Sequence, residues 1–160
     1  MAKHHIIASM QPEHMVIQVD RWADNPYMDK YSPAQMKTAW CFRTLLDKGI
    51  TLAFGSDCPV VSVNPIMGIY RAVARLFNDG NPRGGMNPEQ KISVREALHC
   101  YTYNSAYGIH REHELGTLEP GKLADLAILD HNILEVDPDV IPKTQVLMTI
   151  MNGKITYQKE

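Results

Sequence analysis

Several things are scarce in these 160 residues. There are three cysteines, Cys41, Cys58 and Cys100, and no two stand in C-x-x-C spacing. An odd count without that spacing argues against a disulfide framework and for a reducing, cytoplasmic setting. No apolar run approaches the ~20 residues of a membrane span, and the start, Met1-Ala2-Lys3-His4-His5, is no secretory leader. Charge of one sign is not concentrated anywhere and the formal net charge is -2. A nucleic-acid or anionic-membrane partner is therefore not expected. No H-x-H or H-E-x-x-H pair occurs among the seven histidines.

What is present suits a globular domain. Hydrophobic residues make up 44% and charged residues 21%, so a sizeable core is possible. Residues 5–10 form a short apolar run that predicts a buried strand, followed by a polar, turn-rich loop over 11–32. Ser32-Pro33 is a helix start, and Met36, Ala39, Trp40, Phe42, Leu45 and Leu46 recur at helical spacing until Gly49. Residues 50–54 predict a second strand, ending at Gly55-Ser56-Asp57. Strand, helix and strand in that order imply a parallel pair with a right-handed crossover. A helix is expected over 66–77, and Ser93-Val94-Arg95-Glu96 is a capping box opening another through about residue 108. Beyond it the texture changes. Residues 123–129, 145–151 and 154–157 read as strands, with Asn152-Gly153 as a hairpin turn, so the last ~40 residues are expected to be antiparallel.

Asp57 follows a parallel strand at its C-terminal end, where α/β folds place their chemistry. A carboxylate there can ligate a divalent metal and accept a proton from water, with Gly55 giving the tight bend. On the Gly-Ser-Asp motif alone, turn capping is the better-supported role. Gln11 and His14 also follow a strand end, as possible hydrogen-bonding and metal- or substrate-binding groups, although on these residues alone an ordinary polar loop is the better-supported reading. His99, His110, His113 and His131 read as structural or solvent-facing. No motif supports a cysteine nucleophile.

Longer matches add to this. Ile6 to His14 (IIASMQPEH), Leu52 to Val60 (LAFGSDCPV), Asn64 to Arg75 (NPIMGIYRAVAR), Leu98 to Tyr107 and Gly116 to Asp125 (GTLEPGKLAD) lie in order along nearly the whole chain. They resemble segments of the amidohydrolase superfamily, in the branch that includes N-substituted formamide deformylases. The resemblance implies an α/β fold: the last two strands of a (β/α)8 TIM barrel with their helices over 1–110, and strands of a small β-sandwich over 111–160. It implies a hydrolase of amide-like C–N bonds that uses one or two divalent metals, zinc by expectation. Asp57 matches a strand-eight metal ligand and general base. Gln11, His14 and Arg75 match positions expected to serve substrate binding, and Cys58 departs from the pattern beside them. The family's remaining ligands have no counterpart here, so the chain is expected to be a C-terminal portion, inactive alone. It would be completed by the missing N-terminal portion or by self-association. A non-catalytic oligomerisation or interaction module, or one half of a split hydrolase, stays open.

Overall fold

The computed structural model describes residues 1–17 and 19–160. Strand β1 (Ala8–Met10) and strand β2 (Leu52–Phe54) pair in parallel, Ala8 opposite Leu52 and Met10 opposite Phe54. Both are shorter than the apolar runs that predict them. Residues 2–4 form a 3-10 turn, Ile6 is half exposed, and within β1 Ala8 alone is buried.

The connection runs through α1 (Tyr27–Lys30), α2 (Pro33–Met36) and α3 (Phe42–Asp47). Ser32 caps α2 in a reciprocal box with Gln35, satisfying donors that a helix start leaves free. The single helix expected over 33–48 is thus two. Its break lies at Trp40, whose φ is +48. The carbonyls of Ala39 and Trp40 accept from the Arg75 guanidinium at 3.3 and 2.9 Å, so a residue 35 positions away competes with the local ladder.

Helix α4 (Pro65–Ala74) follows β2 and is capped by the Asn64 side chain. Helix α5 (Val94–Tyr101) starts at the Ser93–Glu96 box, and a break at Thr102 separates it from α6 (Tyr103–Gly108). That break turns Asn104 and Ser105 towards β2. Asn104 Nδ2 donates to the Leu52 carbonyl at 2.9 Å and Ser105 Oγ to the Phe54 carbonyl at 3.0 Å. Side chains of α6 therefore satisfy carbonyls that the short sheet leaves unpaired. Phe42, Leu52, Phe54, Ile66 and Ile69 form the centre of the main core, and Met15, Val16, Met36, Phe77 and Met86 a second cluster.

Strands β3 (Leu126–Leu129), β4 (Val146–Met151) and β5 (Lys154–Gln158) form an antiparallel sheet in that order. Asn152 and Gly153 sit at φ +48 and +75, the double positive φ that a type I′ turn needs. Ile133 and the fully buried Ile141 join this region to the main core. Among the described residues, no helix is long and apolar enough to cross a membrane.

Candidate functional site

A parallel pair sends both chains out at the same edge. The ladder continues one step past β2, where Gly55 N donates to the Met10 carbonyl at 3.2 Å. Two turns then diverge. After β1, Gln11 stays extended, and Pro12 opens a 3-10 helix over Pro12–Val16 that carries His14. After β2 the bend falls on Asp57 itself, at φ +57, and not on Gly55. Val60 N donates to the Asp57 carbonyl at 2.9 Å. The main chain of Asp57 thus closes the turn and leaves its carboxylate free for other work, so capping and ligation are not exclusive.

The two turns bring His14 and Asp57 together, with Nε2 of His14 3.9 Å from Oδ2 of Asp57. The carboxylate is largely exposed. The imidazole is mostly covered, and its Nε2 is buried without a hydrogen-bond partner among the described residues. Gln11 adjoins the pair: its carbonyl accepts from His14 N at 3.2 Å and its side chain is half-buried.

Arg75 is elsewhere. It ends α4, a ten-residue helix roughly 15 Å long. It is fully buried, and its guanidinium donates to the carbonyls of Met86, Trp40 and Ala39 while lying 5.5 Å from the Phe42 ring centre. Burial pulls it down to about 10. As folded, it clamps three loop carbonyls and is not brought to Asp57.

Two residues beside the site escaped the sequence reading. Arg71 of α4 has no exposed surface, and its Nε lies 3.4 Å from Oε2 of Glu13, the neighbour of His14. The same guanidinium donates to the Leu76 carbonyl and to Asn78 Oδ1. Burial pushes the Glu13 carboxyl up despite Arg71, and pulls Arg71 down despite Glu13. The available signal was a cation among Ile66, Ile69, Tyr70 and Ala72, where an apolar face was expected. Cys100 stays outside this chemistry, since burial pushes its thiol up to about 11, while Cys58 is exposed next to Asp57.

Carboxylate and imidazole are the donor types that bind zinc, and an unpartnered imidazole nitrogen facing a carboxylate fits a cation between them. A catalytic zinc takes about three protein ligands. Among the described residues no group of three His, Cys, Asp or Glu converges. The pair fits such a metal in kind but not in number.

Comparison with known proteins gives a context. Residues 1–157 match the family model described as "Amidohydrolase family". YtcJ of Bacillus subtilis, provisionally named an amidohydrolase, is 33% identical over 99% of this chain and 29% of its own length. The N-substituted formamide deformylase of Arthrobacter pascens is 32% identical over 73% of this chain and 21% of its own. The crystal structure of an uncharacterized metal-dependent hydrolase from Pyrococcus furiosus superposes with a TM-score of 0.67 at 30% identity, over 84% of this chain and 25% of that one. The chain therefore spans less than a third of the length of each of these three proteins.

Proposed function

The chain belongs to the amidohydrolase family, and from that premise we propose that it is a C-terminal part of a metal-dependent hydrolase of amide-like C–N bonds. The juxtaposition of Asp57 and His14 at the C-terminal edge of β1 and β2 carries this reading. In it, β1 and β2 are the last two strands of a (β/α)8 barrel, residues 1–110 belong to that barrel, and residues 111–160 supply strands of a β-sandwich. The parallel register and the separate antiparallel sheet support that division. So does the share of each relative that the match leaves uncovered.

Asp57 and His14 would hold a divalent cation, zinc by donor type, with ligands from outside these residues; bound there, it supplies Lewis acidity to the substrate carbonyl and to water. Asp57 is the general base. Its largely exposed carboxylate takes the proton of the attacking water. It then returns that proton to the leaving nitrogen, so that the amine departs neutral. Gln11 orients the substrate amide by hydrogen bonding. Arg75 serves this site at a distance, by holding the chain around Trp40 in place. The substrate class is a small amide-like molecule, and the setting is cytoplasmic.

Convergence of two ligands where three are needed favours a second reading, in which the chain is half of a split hydrolase or a non-catalytic interaction module. Assay of an N-formyl amine decides. The chain alone should show no turnover. Co-expressed with the part of a relative that the match leaves uncovered, it should show turnover that Asp57→Asn abolishes. Turnover indifferent to that substitution contradicts the role of Asp57, and a well-formed assembly with no turnover supports the module.

A further inference from the structure

We infer that Arg71 is a positioning residue, fixing through Glu13 the turn that presents His14 to Asp57. The inference rests on the reading of His14 and Asp57 as a ligand pair. Two separated stretches of chain meet at the Arg71 guanidinium: Glu13 at 3.4 Å, and the segment after α4 through the Leu76 carbonyl and the Asn78 side chain. Asn78 Nδ2 in turn donates to Asp20 Oδ1 at 2.8 Å, so Asp20 as well as Glu13 is linked to this cation. The ring of Tyr70 lies beneath it, 5.4 Å from the guanidinium carbon to the ring centre.

Apolar contacts alone do not explain this arrangement. Met15 and Val16 already seat the turn against Phe77 and Met86, but apolar packing is non-directional. The guanidinium is oriented by donating along fixed directions to the Leu76 carbonyl and Asn78, and it holds Glu13 beside it by charge, Arg71 Nε and Glu13 Oε2 making no hydrogen bond among the described residues. Burying an ion pair in place of a well-packed apolar pair seldom adds stability. A geometric role accounts for this one, since His14 is covalently next to Glu13 and its Nε2 has no hydrogen bond of its own to hold it.

The test reads His14 directly, using the whole 160-residue chain and no metal. Diethyl pyrocarbonate modifies imidazole nitrogens at rates that mass spectrometry resolves site by site. In the wild type His14 should react more slowly than the exposed His99. Glu13→Gln and Arg71→Met should each accelerate His14 about tenfold and leave His99 unchanged, as for side chains coupled in one network. The double variant should be no faster than the faster single one, and Arg71→Lys should lie in between. Unchanged His14 reactivity in Glu13→Gln, or equal acceleration of His14 and His99, overturns the proposal. Should Arg71→Met not fold, Glu13→Gln decides alone. A separate zinc titration of His14→Ala isolates the ligand reading: affinity equal to wild type would remove His14 as a ligand without altering the reactivity result.

Discussion

The β1–β2 pair is three residues deep, yet Leu52 within it and Phe42 beside it are wholly buried, and Phe42 packs 5.0 Å from Phe54 ring to ring. In β5 every residue is exposed, although its ladder to β4 runs most of its length. The first region is held by side chains arriving from far along the chain, and the second by the main chain and a local turn. The difference shows where a site can be built. Asp57 and His14 project from turns, and those turns stay put because the sheet beneath them is enclosed by α3, α5 and α6.

The sharpest way to break this comparison is to remove one ring from each region. Phe42→Ala should cost about 3–5 kcal/mol, as large core truncations do, while Tyr157→Ala on β5 should stay within about 0.5 kcal/mol. Denaturant unfolding of both variants measures the contrast, and equal losses would erase it. A smaller effect belongs to the side chains that cap β2. Asn104→Ala leaves the buried Leu52 carbonyl without its donor and should cost about 1–3 kcal/mol. The melting temperature reads that loss, and no change would mean that the strand edge needs no cover.

In the C-terminal sheet the sensitive point is conformational. Gly153 is at φ +75 with open space around the position of a Cβ, so Gly153→Val tests φ and not crowding. It should cost about 1 kcal/mol or somewhat more, because a β-branched residue resists positive φ. An unchanged melting temperature would contradict the turn. The smallest effect is one of pH. Burial raises Glu96, but the Ser93 main-chain donor, Arg43 and the Ser93 hydroxyl outweigh it and hold the carboxyl below its usual value. The stability this contributes is complete above the usual glutamate value and is lost as pH falls through the lowered one. Glu96→Gln, which can still complete the capping box, should flatten that acid slope in urea unfolding; an unaltered slope would assign it elsewhere.

Legibility in the sequence follows the same division. The Asn152-Gly153 turn and the Ser93 box depend on residues close together, and the parallel pair on the order of strand, helix and strand; each is found as expected. The breaks at Trp40 and Thr102 are illegible locally. Apolar spacing continues through both, and at Trp40 the competing donor is Arg75. At the site, family motifs point to Asp57, His14 and Gln11, but no local pattern tells that the bend falls on Asp57 and not on Gly55. Nor does it tell that Arg71 faces inward to Glu13. Buried charges are paired in three dimensions, and their partners lie tens of residues away.

The central claim is that Asp57 and His14 together form one side of a metal site. Zinc titration of the chelator-free chain, against Asp57→Asn and His14→Ala, tests it most directly. The account predicts weak binding by the chain alone, since two protein ligands fall short of about three, and a loss of most of that binding in either variant. Tight one-to-one zinc binding, or binding that neither substitution weakens, would contradict it.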